Sequence, residues 1–405
     1  MRADRDRIVV TGLGVVAGNG VDREAFCEAI YEGKTGIRPV TRFDVSQFRT
    51  PVAGQVEVEV PKVTPRDNQF GGTVSLAVRA LNEALADAGL TAEQIATLGP
   101  RAGLAFSTSH GGTAYVMEHI KQELDQTEPT PDWLFEHSYF TNRVALAAGI
   151  QGPCSTTSSA CAAGTASVGF AIDMIRSGRA DLMVWGGSDP LMEISYGGFH
   201  IMKALSPTGV PKPFDKNRDG LIIGEGAAMM IVERLDQALA RGAHIYAEIA
   251  GYGLSNDAYH ATSPDPEGGG ALRAMEMALA DAGLQVSEID YINAHGTATP
   301  ANDTMEAKAI HRLLGDRAGQ VAISSTKSMT GHCLGAAGSV EAAVCLLAID
   351  RGFLPPTATL AEPEAGAEGL NLIKTQGRRA TVKVALSNSF AFAGNTACIA
   401  FRQYQ

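Results

Sequence analysis

Residues 79–90 read RALNEALADAGL and residues 273–284 read RAMEMALADAGL, identical at nine of twelve positions. Each has the pattern of an amphipathic helix whose alanines permit close packing, and each stops at a glycine, Gly89 or Gly283. An acidic segment and then a β-like run follow each copy. A second echo pairs Ala162-Ala163-Gly164 with Ala336-Ala337-Gly338, each opening an alanine-rich helical stretch. One such likeness could be chance, but two in the same order make an internal duplication the better explanation.

Around these helices lie apolar, strand-like runs at 7–11, 102–106, 182–186, 227–233, 246–253, 321–324 and 381–386. Strands alternating with helices give α/β architecture. No proline- or serine-rich linker separates the two copies, so the halves, 1–250 and 251–405, are expected to share one interface.

Composition narrows the function classes. The chain has 405 residues, 45% of them apolar and 19% charged, which suits a large buried core and argues against disorder. A net charge of −11 disfavours nucleic acid or an anionic membrane as partner of the whole surface, leaving room for a local basic patch that meets an acidic protein. The six cysteines have no metal-type spacing and read as reduced thiols. The apolar run at 8–14 is short and glycine-broken, so a strand and then a turn are expected there rather than a leader. No apolar stretch approaches the roughly 20 residues of a membrane span. A cytoplasmic protein is the expectation.

The opening RIVVTGLGVVAG places Gly12, Gly14 and Ala17 in a loose dinucleotide fingerprint. That fingerprint also needs an acidic residue at the end of a second strand about twenty residues on. The chain there reads YEGKTGI, with no strand to hold Glu32. No cofactor is expected.

Three residues carry candidate chemistry. Cys161, in TTSSACAAGTASVGFAIDMI, follows small residues and opens a helical pattern. A thiol at a helix start feels the positive end of the dipole, which lowers its pKa and favours the nucleophilic thiolate. His295 lies in YINAHGTATPANDTMEA and His332 in SSTKSMTGHCLGAAGSVEA, both just after β-like runs, where catalytic groups of α/β proteins gather. Lys327 adds a cation to the second loop and Glu341 a carboxylate to the following helix. An inert buried thiol, structural histidines and an ordinary ion pair are the competing readings of the same residues.

Taken together, these segments resemble the elongating ketoacyl-[acyl-carrier-protein] synthases. The likeness runs the length of the chain: VVTGLGVVAG, SACAAG, PFDKNRDGLIIGEGA at 213–227, NAHGTATP, STKSMTGH and NSFAFAG. The resemblance implies the thiolase fold, two βαβαβαββ halves in a five-layer αβαβα arrangement, and a dimer in which sheets of two subunits join, as a homodimer or with a ketosynthase-like partner. It implies that Cys161 takes an acyl chain from the phosphopantetheine of an acyl carrier protein, and that His295 and His332 bind the malonyl thioester carbonyl during decarboxylation. The backbone amides of Cys161 and Phe392 would hold the oxyanion, Lys327 and Glu341 would orient His332, and Thr297, Thr299 and Phe390 would contact substrate. Lys62, Arg66 and Lys203 are the expected carrier-protein docking cations. A chain-length-factor subunit lacks the cysteine. A thiolase or an initiating synthase lacks the second histidine.

Departures from the family pattern accompany the match. Ala391 and Ala393 replace glycines of a GFGGTN-type loop, which should remove positive-φ freedom and stiffen it. The Asn–Thr order that follows is exchanged, and Asn302 stands where glycine is usual. His110, in STSHGGT, occupies a position where an apolar residue commonly lines the acyl tunnel, and a dimer-interface role is the alternative for it. These features lean slightly toward a specialised polyketide or aryl-polyene pathway.

Overall fold

A computed structural model describes residues 7–60, 63–64, 69–113, 117 and 137–405. One sheet of 11 strands runs through it. In chain order these are β1 (Ile8–Ala17), β2 (Ala102–Ser107), β3 (Cys154–Thr157), β4 (Leu182–Asp189), β5 (Gly226–Arg234), β6 (Ala247–Asn256), β7 (Tyr291–Asn293), β8 (Ala322–Ser324), β9 (Asn371–Leu372), β10 (Val384–Phe390) and β11 (Asn395–Arg402). The helices that matter for the site are α1 (Gly71–Ala88), α2 (His137–Ala147), α3 (Ala163–Arg176), α4 (Glu193–Ile201), α5 (Gly269–Ala282), α6 (Pro300–Leu314) and α7 (Ala337–Arg351).

The spatial order, β9-β8-β7-β10-β11-β6-β1-β5-β4-β2-β3, is one arrangement laid down twice. Outward from β1, the pairings to β5, β4, β2 and β3 are antiparallel, antiparallel, parallel and parallel. Outward from β6, the pairings to β11, β10, β7 and β8 follow the same sequence. Each half is therefore β-α-β-α-β-α-β-β, and β9 is an added edge. Within this sheet the short pairing Val9↔Glu248 and Val10↔Ala247 joins the two. Helices α3 and α7 fill the space between them, where Val168, Ile172, Val340 and Val344 share one core with Val10, Leu13 and Val15. Outer cores form under α1 and α2 on one side and under α5 and α6 on the other. This is the five-layer thiolase fold.

The glycines of RIVVTGLGVVAG are explained by packing. β1 runs unbroken through them, so the expected turn does not occur. A β-carbon on Gly14 would lie 1.9 Å from the Ala80 carbonyl of α1, and one on Gly253 of β6 would lie 2.1 Å from the Ala274 carbonyl of α5. The strand lies directly on the alanine face of the helix in both halves. A bulge precedes each contact, at Val10/Gly12 and Ile249/Gly251. The repeated ADAG motif then supplies an acceptor. Asp87 accepts from Leu13 N at 2.9 Å, and its counterpart Asp281 accepts from Tyr252 N at 3.2 Å. The echo in the helices and the glycines in the strands are thus two sides of one contact.

The second echo marks where α3 and α7 cross. A β-carbon on Gly164 would meet Ser339 N at 2.6 Å, and one on Gly338 would meet Thr165 N at 2.5 Å. Ahead of each helix the backbone makes the same left-handed turn, at Ala160 (φ 50) before Cys161 and at Leu334 (φ 52) before Gly335. The amide of Gly335 donates to Asp189 Oδ2 at 2.7 Å.

Strands β3, β9 and β11 lie outside the runs expected from sequence. β3 reads CSTT and is a sheet edge with few apolar residues to mark it. β11 reads NTACIAFR and is paired on both sides, by β6 and β10. Among the described residues, no helix is long and apolar enough to cross a membrane.

Candidate active site

Cys161, His295 and His332 line one cavity of about 500 Å³. All three are nearly inaccessible, at 8%, 2% and 2% exposure, so they form its floor. Phe390 packs against His295, with ring centroids 5.8 Å apart. Phe392 and Phe199 face each other at 6.0 Å higher in the wall. Thr297 and Thr299 line the same cavity, and exposed Lys203 stands at its rim. His110 is not among the lining residues. Its ring meets the Ser195 hydroxyl of α4, with Nε2 at 2.9 Å, so a partner within the same chain satisfies it. Lys62 and Arg66 lie outside the described residues.

The two imidazoles stand edge to face, with centroids 5.4 Å apart and planes at 84°. Lys327 Nζ donates to the His295 carbonyl at 2.6 Å and lies 3.3 Å from His295 Nδ1. An ammonium has no acceptor, so Nδ1 must accept and the proton of His295 resides on Nε2. The Leu334 amide donates to His332 Nδ1 at 3.2 Å, which places the His332 proton on Nε2 as well. Burial, with the Lys327 charge second, holds both imidazoles well below their ordinary pKa, so they are neutral donors. Lys327 also forms a buried ion pair with Glu341. The expectation that this pair orients His332 is therefore corrected: its contacts are to His295.

Each histidine is fixed through its backbone. The His332 amide donates to the Ile222 carbonyl at 2.7 Å, and its carbonyl accepts from Gly224 N at 2.9 Å. Glu306 on α6 accepts from His295 N at 2.8 Å and Gly296 N at 2.7 Å. Asp303, one turn earlier, accepts from Thr297 N at 3.0 Å.

Cys161 occupies a short 3₁₀ turn, with α3 beginning at Ala163. Its expected low pKa is not found. Burial pushes the thiol up to about 12, against a lowering influence from Lys327. Desolvation of the anion outweighs the helix end here, so the resting group is the thiol.

The loop at 391–394 corrects a second expectation. Ala393 takes φ 60 despite its β-carbon, at a cost of about 1–2 kcal/mol. Hydrogen bonds to a neighbouring loop hold it there. Ala393 N donates to the Ala261 carbonyl at 2.8 Å, and Asn256 Nδ2 donates to the Ala393 carbonyl at 3.0 Å.

Comparison with known proteins places this site. The family model for the β-ketoacyl synthase N-terminal domain matches residues 5–238, and that for the C-terminal domain matches 246–361. The chain belongs to the β-ketoacyl synthase family. It is similar to the 3-oxoacyl-[acyl-carrier-protein] synthase 2 of Synechocystis sp., at 38% identity with 99% of each chain covered. Among solved structures it is similar to the ishigamide ketosynthase/chain length factor, with a TM-score of 0.90, 37% identity and coverage of 98% of this chain and 99% of that one. It also resembles AntDE:AntF, described as a type II PKS acyl-carrier protein in complex with its ketosynthase, with a TM-score of 0.89, 35% identity and coverage of 98% and 99%.

In this β-ketoacyl synthase, Asp303 and Glu306 are buried carboxylates holding the His295 loop that sequence reading passed over. Burial pushes Asp303 up to about 6 and Glu306 up to about 7, while the amides they hold pull the other way. Their signal was present in ANDTMEA: two carboxylates three apart at a helix start fall on one face, toward the preceding histidine loop.

Proposed function

We propose that this β-ketoacyl synthase joins an acyl group on Cys161 to a malonyl unit borne by an acyl carrier protein, with loss of carbon dioxide. The Cys161 sulfur attacks the acyl thioester of the carrier arm, giving acyl-Cys161 and the free carrier thiol, to which the Cys161 proton passes. Malonyl carrier protein then enters, with its thioester carbonyl on Nε2–H of His295 and His332. The carbon–carbon bond to the carboxylate breaks, and its electron pair moves to the carbonyl oxygen as an enolate. Two fixed neutral donors stabilise that charge on a buried floor, where they act more strongly than in solution. The enolate carbon attacks the acyl-Cys161 carbonyl. The tetrahedral oxyanion rests on the amides of Cys161 and Phe392, then collapses and releases the Cys161 thiolate and the 3-oxoacyl product.

The observation that carries this reading is the matched tautomer of the two histidines, each with Nδ1 already accepting. Lys327, Glu341, Glu306 and Asp303 act as positioning groups for His295 and its loop. Thr297, Thr299 and Phe390 line the path of the carrier arm and acyl chain. Lys203 at the rim, with Lys62 and Arg66, meets the acidic carrier protein. The two halves divide near residue 250, each contributing one part of the site: Cys161 from the first, both histidines from the second. The free edge of β3 is the place for a second subunit's sheet, and the enzyme works in the cytoplasm.

Intact-mass spectrometry after incubation with acyl carrier protein tests the reading. One acyl adduct is expected, lost in Cys161→Ala, and an adduct that persists on another cysteine would defeat the assignment.

A specialised pathway with a ketosynthase-like partner subunit is the second reading, favoured by the likeness to the ishigamide ketosynthase/chain length factor. His110→Ile should then shift the acyl profile toward longer saturated chains. A wild-type preference for long saturated chains would speak for ordinary fatty-acid elongation.

A further inference from the structure

The His332 ring takes its orientation from the short turn ahead of α7, Leu334–Ala336, through the Leu334 amide that donates to Nδ1 at 3.2 Å. That turn is strained. Leu334 has φ 52, a left-handed conformation that its β-carbon disfavours and that persists only where the surroundings hold it.

What holds it comes from the other half of the chain. The next amide, Gly335 N, donates to Asp189 Oδ2 at 2.7 Å. Asp189 ends β4 and is fully buried. Its oxygens also accept from Thr108 Oγ1 at 2.6 Å, Ser109 N at 2.8 Å and His110 N at 3.1 Å, all in the segment that follows β2. Thr108 Oγ1 in turn accepts from Gly111 N at 3.0 Å, which leaves its proton for Asp189. Four donors converge on this one side chain, so both of its oxygens accept, and bonds to a charged acceptor are the stronger kind. Without this acceptor Leu334 could relax to the right-handed region. The two peptide planes that flank Leu334 would then reorient, and one of them carries the amide on His332.

We propose that Asp189 is a positioning residue for His332, acting through Gly335 and Leu334 across the boundary between the two halves. The proposal rests on the reading of His332 as a donor in decarboxylation. Lys327 and Glu306 hold His295 from within the second half. Asp189 holds His332 from the first, so the first half supplies both the nucleophile and the orientation of one histidine.

The test measures carbon dioxide release from malonyl carrier protein and acylation of Cys161 separately in Asp189→Asn. Asparagine is close in size but offers one acceptor oxygen in place of two. Release should fall about three- to tenfold, the size of one lost hydrogen bond. Acylation should hold or rise, because burial chiefly, and the Asp189 charge in smaller part, push the Cys161 thiol up. The ratio of the two rates cancels differences in folded enzyme concentration, so a partly folded variant still reports. Gly335→Ala breaks the same link from its other end, since the added β-carbon would lie 2.7 Å from Asp189 Oδ2, and should show the same bias. In a His332→Ala background, Asp189→Asn should lower release no further. Nitrogen NMR of isotopically labelled histidines should show His332 Nδ1 losing its amide donor in Asp189→Asn while His295 stays in place. Equal losses of release and acylation, a further loss in the His332→Ala background, or an unmoved His332 resonance would each overturn the proposal and leave Asp189 a support of the fold alone. An unaltered release rate in His332→Ala by itself would instead remove the reading of His332 as a donor, and the proposal with it.

Discussion

Lys327 Nζ sits 2.6 Å from the carbonyl oxygen of His295 and 3.3 Å from the Nδ1 of the same residue. One cation thus grips a histidine at both backbone and ring, and its own charge is answered by buried Glu341. Lys327→Ala should release the ring, strand Glu341 and destabilise the fold by about 3–5 kcal/mol, the cost of breaking a buried pair. Carbon dioxide release should fall more than stability alone explains. A variant with unchanged melting temperature and unchanged decarboxylation would refute the role.

His295→Ala and His332→Ala should each lower carbon dioxide release from malonyl carrier protein by about 10²–10³, the value of one oxyanion donor. Loading of Cys161 should survive better in both. Because both rings are held neutral well below their ordinary pKa, lowering the pH toward about 6 should not switch off decarboxylation through them. Radiometric release of carbon dioxide, measured apart from acyl-adduct formation, separates the steps. Equal loss of both steps would contradict the division of labour.

The Cys161 thiol, pushed up to about 12, should behave as an acid still protonated at neutral pH. Its thiolate fraction then rises about tenfold per pH unit across the accessible range, because the raised pKa lies above it. Alkylation of the Cys161 peptide by iodoacetamide, followed by mass spectrometry, should climb from about pH 7 to 9 without a plateau. A plateau reached below neutral pH would mean that the helix end and Lys327 prevail over burial.

Gly14→Ala and Gly253→Ala should destabilise to a similar degree, about 1–3 kcal/mol or more, since each drives a methyl into a helix carbonyl. Thermal unfolding of the two variants reads this directly. A fall in one and not the other would break the equivalence of the two strand–helix contacts.

The duplication was legible because the same contact imposes the same residues twice: alanines on the helix, glycines on the strand and an aspartate at the bulge. The floor of the site was legible in its residue types, since Cys161, His295 and His332 each sit in a distinctive segment. Their second contacts were not. Whether Lys327 grips His295 or His332 depends on how two loops far apart in sequence are brought together, and spacing along the chain does not carry that. The Cys161 thiol was misjudged for a related reason, because a helix start is visible in sequence while the burial that opposes it comes from remote segments. β3 was missed because an edge strand needs few apolar residues. Ala393 was expected to avoid the left-handed region, and bonds from the loop at 256–261 hold it there.

The paired turns at Ala160 and Leu334 make the specialisation of the two halves hard to reverse. One turn leads into Cys161 at the cavity floor. The other presents the amide of Gly335 to a carboxylate of the protein itself, Asp189, and so is permanently occupied. A β-carbon at 335 would lie 2.4 Å from Ser109 N and 2.7 Å from Asp189 Oδ2. The second turn thus has no room for a side chain where the first carries its thiol. A second nucleophile cannot be placed there by a single substitution, which leaves this turn pair with one thiol.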